Sequence, residues 1–140
     1  MPSSPTRTAR AIASACVAFR TRRLDRVVTR IYDEALRPHG LRSTQLNLLT
    51  AITLTDGGSP AELSQLLELE KSSLSRNLAI LEEREWVRLE RDPSGRTQAV
   101  HITGAGRDKL EEIRPAWNAA QAVTRTTLGD ALFDTLAELD

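Results

Sequence analysis

The segment from Ser59 to Thr103 most constrains the fold, because it joins two helical repeats to one alternating repeat in a fixed order. Ser59, Pro60 and Glu62 form a helix start, in which the hydroxyl accepts from free amides and the carboxylate completes a capping box. A second start follows at Glu70. In each helix, leucines recur at the spacing of one helix face, at Leu63, Leu66 and Leu67 in the first and at Leu74, Leu78 and Leu81 in the second. The segment therefore predicts two short amphipathic helices joined by a tight turn.

The end of the same segment predicts a β-hairpin. Apolar and charged residues alternate from Trp86 to Arg91, which is the period of a half-buried strand. Residues 92–95 (Asp-Pro-Ser-Gly) are dense in turn formers, and alternation resumes from Arg96 to Ile102. Trp86 is expected to pack where the helix meets the hairpin.

The polar face of the second helix has the composition of a surface that enters a DNA major groove. Small hydroxyls permit close approach, Arg76 can donate a fork to guanine, and Asn77 can pair with adenine or reach a phosphate. A merely solvated polar face is the alternative. The candidate base-contacting residues are Lys71, Ser72, Ser73, Ser75, Arg76 and Asn77. In the hairpin, the candidates are Arg91, Asp92, Ser94 and Arg96, since an arginine at the tip can enter a narrow minor groove.

These pieces resemble the winged helix-turn-helix of the MarR-type bacterial transcriptional regulators. The resemblance lies in AELSQLLELEKSSLSRNLAILEEREWV, RLERDPSGRTQAVHIT and TGAGRDKL, and it continues in RVVTRIYDEALRPHGLRSTQLNLL. It thus covers nearly the whole chain. It implies a homodimer on a pseudo-palindromic double-stranded operator, most simply a repressor that a small-molecule effector releases, acting without covalent chemistry.

Two glutamates depart from the family pattern. Glu68 and Glu85 stand where such sequences usually carry glycine, so the two turns are expected to be shaped differently here. Acidic groups near the DNA-facing surface also weaken phosphate attraction. A winged helix used for protein–protein contact is therefore an alternative function. Asp92 and Arg96 match the family's acidic and basic wing residues, and Asp92 is expected to pair with Arg96 and orient it.

The flanking sequence predicts a mainly α fold with a small β-wing. Residues 1–8 are polar and expected to be disordered, residues 9–36 one dimerisation helix, residues 41–103 the DNA-binding lobe, and residues 104–140 dimerisation helices broken or kinked at Pro115 and loosened at Gly129. The apolar residues of the last segment exceed what one helix can hide, which implies a second copy. Ser43 is the expected N-cap of the helix after residue 41, where Arg42, Thr44 and Gln45 could contact a phosphate.

Charge placement is more informative than net charge. The 140 residues carry 19 basic and 19 acidic groups, but residues 1–42 hold nine arginines against three acids. The arginines of the first helix (Arg20, Arg22, Arg23, Arg26 and Arg30) could be solvated, could anchor an anionic effector, or could pair across a dimer with Glu111, Glu112, Asp134 and Glu138. Neither a signal peptide nor a long apolar run is present, which predicts a cytoplasmic protein with no membrane partner.

Cys16 and Trp117 each have two possible roles. Cys16, the single cysteine, is either a small buried hydrophobe or, as the family resemblance implies for some members, a thiol redox sensor of a repressor together with Tyr32. Trp117 belongs either to the core or to an effector cleft between the arm and the lobe. Spacings of Cys, His and carboxylates indicate no metal site, and no cofactor is predicted. The chain also lacks a paired nucleophile and base or a phosphate loop, so we do not expect an enzyme.

Overall fold

A computed structural model describes residue 1 and residues 3–139, and it confirms a mainly α fold with a small β-wing. The helices and strands, in chain order, are α1 (Ser4–Ala15), α2 (Val17–Leu36), a 3₁₀ turn (Arg37–His39), α3 (Ser43–Thr55), α4 (Pro60–Leu67), α5 (Lys71–Glu83), β1 (Val87–Arg91), β2 (Thr97–Ile102), α6 (Gly104–Leu128) and α7 (Asp130–Ala137).

The N-terminal region differs from the sequence prediction in two ways. Helix α1 begins at Ser4, so residues 4–8 are helical rather than disordered. A proline in the first helical turn removes an amide that would have no partner there, which favours this start. The expected single helix over 9–36 is also interrupted at Cys16, whose extended ψ of 116° separates α1 from α2.

The lobe is built around one apolar core. Its buried residues are Leu48, Leu49, Ala51, Ile52, Leu63, Leu74, Leu78, Leu81, Val87, Val100 and Ile102. The antiparallel strands pair Val87 with Ile102 and Leu89 with Val100, which directs their apolar side chains to α3 and α5. The Val100 amide also donates to the Gly58 carbonyl at 3.0 Å. Leu66, expected on the inner face of α4, is instead 57% exposed.

A second apolar cluster joins the lobe to the arm formed by α2 and α6. Leu36, Leu41, Leu46 and Ile113 are its buried residues. Trp86 packs against both clusters, which confirms its expected place between helix and wing. Gly106 of α6 lies against the backbone carbonyl of Trp86. Position 106 requires glycine, because a Cβ there would lie 2.1 Å from the carbonyl oxygen.

The C-terminal segment is interrupted at Gly129 and not at Pro115. Helix α6 is 25 residues long and continues through Pro115 without a break. Proline removes one helical hydrogen bond, and Pro115 and Glu111 are both solvent-exposed, so water can satisfy the freed carbonyl. The chain turns at Gly129, whose φ of 83° a glycine adopts at no steric cost. Helix α7 then returns against α6, and Arg125 of α6 pairs with Asp130 and Asp134 at 3.1 and 3.0 Å.

Candidate nucleic-acid interface

Helix α5 presents a polar ridge on the outside of the lobe. Leu74, Leu78 and Leu81 are buried and hold the helix on the core. Ser72 and Arg76 are solvent-exposed on the opposite side, and Lys71 and Ser75 are solvent-exposed along one edge of the buried face. The amphipathic spacing therefore places four of the six candidate base-contacting residues where an approaching ligand can reach them.

The other two candidates, Ser73 and Asn77, are half-buried and partly occupied by contacts within the helix. The Asn77 amide Nδ2 donates to the Ser73 carbonyl at 2.9 Å. The Ser73 hydroxyl lies 3.4 Å from the Arg76 guanidinium Nη2. Asn77 would have to give up its bond to the helix backbone before it could contact a base edge.

Two open grooves flank the α5 ridge. The first, of about 890 Å³, lies between α5 and the start of α3, and its lining includes Arg42, Thr44, Arg76 and Arg84. The second, of about 470 Å³, lies between α5, the start of α4 and the wing, and its lining includes Lys71, Ser75, Arg96 and Gln98. Because each groove contains cationic side chains, the ridge lies between two surfaces that attract anions.

The start of α3 differs by one residue from the sequence prediction. Arg42 is the N-cap and Ser43 is the first helical residue. The Ser43 amide donates to the Asp33 carboxylate of α2 at 2.7 Å, and the Arg42 amide donates to Gln45 Oε1 at 3.1 Å. Gln45 is only 6% exposed, so it serves mainly to cap the helix. Arg42 and Thr44 remain exposed.

The wing tip is ordered by Asp92, although not by the expected ion pair. Asp92 Oδ1 accepts from the backbone amides of Ser94 and Arg96 at 2.9 and 3.0 Å, and its Oδ2 accepts from Gln98 at 3.0 Å. The hydroxyl of Ser94 donates to the same carboxylate and is the main reason that the pKa of Asp92 is lowered. Asp92 therefore positions Arg96 through its backbone, and the Arg96 guanidinium stays exposed.

Arg91 of the wing forms an ion pair with α5. Its two terminal nitrogens donate to both carboxylate oxygens of Glu82 on α5, at 2.8 and 3.1 Å. These hydrogen bonds lower the pKa of Glu82. A guanidinium held in this way is less available to DNA, which leaves Arg96 as the free arginine of the two wing candidates, Arg91 and Arg96.

Glu68 and Glu85 adopt the glycine-like turns despite their side chains. Their φ angles are 51° and 60°, within the left-handed region. The expectation of differently shaped turns is thus wrong. The surrounding contacts fix both backbones, because the Leu69 amide donates to the Ser64 carbonyl at 3.0 Å and the Thr103 hydroxyl donates to the Glu85 carbonyl at 2.6 Å.

The proposed sensor residues do not lie together. Cys16 is half-buried at the α1–α2 break, and Tyr32 follows sixteen residues later, about 24 Å along a helix axis. The Tyr32 hydroxyl donates instead to the Gln121 side chain of α6, and burial raises the pKa of Tyr32. Among the described residues of a single chain, no tyrosine therefore lies beside the thiol.

Trp117 lies in a cleft and not in the core of this chain. It is 38% exposed. The cleft, of about 330 Å³, separates α3 from α6 and is lined by Leu46, Asn47, Thr50, Leu110, Ile113, Arg114 and Trp117. Of the two readings of Trp117, this geometry favours a cleft between arm and lobe.

Sequence reasoning missed two residues that shape the interface. Glu82 binds Arg91 of the wing. Arg84 lines the first groove. Its guanidinium lies 5.0 Å from the Trp86 ring centroid and donates to the Gly40 carbonyl. Arg84 and Gly40 are 44 residues apart, so no local pattern could signal their contact.

The fold and the exposed α5 define a winged helix-turn-helix protein. The sequence profile of the MarR family matches residues 39–96. The transcriptional regulator MosR of M. tuberculosis, solved in complex with DNA, is 30% identical, with 88% of this chain and 92% of that chain covered and a TM-score of 0.73. Apo MarR from E. coli is 21% identical over 88% and 93% of the two chains, with a TM-score of 0.72.

A MarR family protein of M. tuberculosis in complex with p-aminosalicylic acid is 22% identical over 89% of this chain and 97% of that chain, with a TM-score of 0.69. Comparison with curated protein sequences gave no match. The chain belongs to the MarR family of regulators, as its sequence predicts. Across residues 1 and 3–139, no helix combines the length and apolar character that crossing a bilayer requires.

Proposed function

We propose that the protein is a homodimeric regulator of transcription that binds a specific double-stranded DNA sequence. The observation that carries this proposal is the α5 ridge between two cationic grooves, with Arg96 at the edge of one of them. A helix inserted in the major groove has a phosphate backbone on each side, and the two grooves would receive these backbones. The solved complex of MosR with DNA supports DNA binding as the function.

Unpaired apolar surface on the terminal helices supports a homodimer. Exposed large apolar side chains on α1, α2, α6 and α7 include Ile12, Val17, Phe19, Val123 and Leu132. Burying them against a second copy would remove them from water. Two copies would then present two α5 ridges to a pseudo-palindromic site, so both half-sites contribute to affinity.

Binding to a duplex from the region upstream of the protein's own gene tests the proposal. We expect fluorescence anisotropy to show salt-dependent binding, and Arg76→Ala to lose about 1–3 kcal/mol on the specific site. The matched control is Arg107→Ala, which removes an exposed arginine that lines neither groove. An intact dimer that binds no DNA even at low salt would refute the proposal and favour the protein–protein interaction module.

We further propose that the protein is a repressor and that an effector in the Trp117 cleft releases it. The cleft separates α3 of the lobe from α6 of the arm, so an occupant can favour one lobe orientation over another. Its apolar lining and the single cation Arg114 suit a planar organic anion. The relative that holds p-aminosalicylic acid supports this ligand class. A regulator of this kind would act on DNA in the cytoplasm.

Titration of the DNA complex with p-aminosalicylic acid tests the effector site. We expect the acid to release labelled DNA from the parent protein, and Arg114→Gln to respond only at higher concentration because the carboxylate loses its cation. Arg107→Ala serves again as the charge-matched control. An unchanged release curve for Arg114→Gln would place the effector elsewhere.

A further inference from the structure

Helix α2 carries a row of arginines that the fold does not use. Arg22, Arg23, Arg26, Arg30 and Arg37, here named the arginine stripe, are all exposed. At about 100° per residue, the four on α2 fall within about 100° of arc, opposite the apolar face of Val28 and Tyr32 that packs toward α6 and α7. The stripe therefore lies on the side of α2 that faces away from α6 and α7 of the same chain.

None of the five arginines has a carboxylate partner among residues 1 and 3–139. Asp25 and Asp33 share a groove of about 400 Å³ with Arg26, Arg30 and Arg37. The Thr29 hydroxyl and the Ser43 amide donate to these two carboxylates at 3.4 and 2.7 Å, but both carboxylates keep their negative charge and offset part of the stripe. With Glu34, residues 22–37 carry five arginines against three acids, so an excess of positive charge remains. Like charges one helical turn apart repel each other, so the stripe gains most from an anion outside the chain.

The acids that could have neutralised the stripe across a dimer are largely engaged within the same chain. Glu112 pairs with Lys109 and His39, Glu111 lies 3.6 Å from Arg114, and Asp134 pairs with Arg125. Pairing between the stripe and the C-terminal helix of a partner would compete with these bonds, and of the four acids only Glu138 has no ion pair within the described residues. This weakens the case for a second copy as the anionic occupant.

The stripe is continuous with the candidate DNA interface. Asp33 lies beside Arg30 and Arg37 at the C-terminal end of the stripe, and its carboxylate accepts from the Ser43 amide at the start of α3. Arg42, the residue before Ser43, lines the groove beside α5. Cations therefore lie on both sides of the Asp33–Ser43 hydrogen bond, with Arg42 and Arg76 in the groove beside α5 and Arg26, Arg30 and Arg37 in the groove on α2. Arg22 to Arg30 spans about 12 Å of helix.

We propose that the arginine stripe is a second phosphate-binding surface, which holds the DNA backbone beyond the segment read by α5. This inference rests on the proposed DNA-binding function. Duplex DNA presents about one charge per 1.7 Å of axis, so a stripe about 12 Å long faces several phosphates. Arginine forks suit phosphate oxygens, and such contacts add affinity without adding sequence preference.

The test compares the double variant Arg26→Gln/Arg30→Gln with the parent protein by anisotropy over a range of salt concentrations. Each lost phosphate contact lowers the slope of log affinity against log salt by about 0.9, and a dimer loses up to four contacts. We expect the slope to fall by about 2–4, equally on specific and scrambled duplexes. The control Arg7→Gln/Arg10→Gln removes the same charge from α1, and its slope should match the parent.

Three results would overturn the inference. One is an unchanged slope in the stripe variant, and another is an equal fall in the α1 control, which would indicate a general charge effect. The third is dissociation of the stripe variant to monomers in sedimentation velocity, which would make the stripe a dimer contact. A parent protein that binds no DNA would instead refute the proposed function, so the two failures are distinguishable.

Discussion

Replacing Glu68 by glycine should stabilise the protein. Glu68 ends α4 with φ 51° and ψ 40°, a left-handed conformation that disfavours any residue with a Cβ. Its side chain is exposed and has no hydrogen bond or ion pair within the described chain. Glycine would therefore relieve the backbone strain without removing a side-chain interaction.

The magnitude follows from two opposing terms. Removing the left-handed strain gains about 1–2 kcal/mol, and the greater freedom of glycine in the unfolded chain costs about 0.5–1 kcal/mol. The expected net gain in the free energy of unfolding is about 0.5–1 kcal/mol, or roughly 3 °C in Tm for a domain of this size. Urea denaturation at one fixed protein concentration measures it, because dimer stability depends on concentration.

Glu68→Gln is the matched control, since it removes the charge and keeps the Cβ. We expect this variant to unfold like the parent protein. Both variants should bind DNA more tightly by a similar factor, because each removes a negative charge beside α5. Equal stabilisation by glutamine and glycine would refute the reasoning and assign the effect to charge.

Two further predictions concern the wing and its junction with α6. Gly106→Ala should destabilise the fold by about 3 kcal/mol, since its Cβ would meet the Trp86 carbonyl, whereas Gly104→Ala, which meets nothing within 4 Å, should stabilise it by about 0.5–1 kcal/mol. The opposite order in thermal unfolding would contradict this packing. Arg91 lowers the pKa of Glu82 in the folded protein below its value near 4.5 in the unfolded chain. The ion pair therefore stabilises the fold fully at pH values above about 4.5, and this stabilisation is lost as the pH falls through the lower pKa of folded Glu82. Glu82→Gln should differ from the parent by less than about 0.5 kcal/mol at neutral pH and converge with it in acid, and a difference that is constant with pH would contradict this role.

Local sequence patterns were sufficient for the elements of the lobe. The capping box at Ser59 and Glu62 forms as the spacing predicts, with bonds of 2.8 and 3.2 Å. Leucine periodicity fixed which side of α5 is buried, and hence that Ser72 and Arg76 face away from the core. These features depend on residues within one or two helical turns, so their physics is contained in short segments.

The terminal helices were harder to predict, because little of their surface is buried within one chain. Helix α1 buries no residue, so its apolar pattern could not indicate the break at Cys16. The family resemblance also suggested Cys16 and Tyr32 as one sensor, although fifteen residues, all of them in α2, lie between the two.

The sequence by itself determined the order of elements, the buried face of α5 and the family. Only the tertiary structure decided which candidate groups are free. In the structure, Arg91 pairs with Glu82 and Gln45 caps α3. Trp117 lies exposed in a cleft. The arginines of α2 have no carboxylate partner among the described residues. The physical reason is that these outcomes depend on partners brought together by packing. The same packing, distributed over the whole lobe core, holds Glu68 and Glu85 in backbone conformations that each residue alone disfavours.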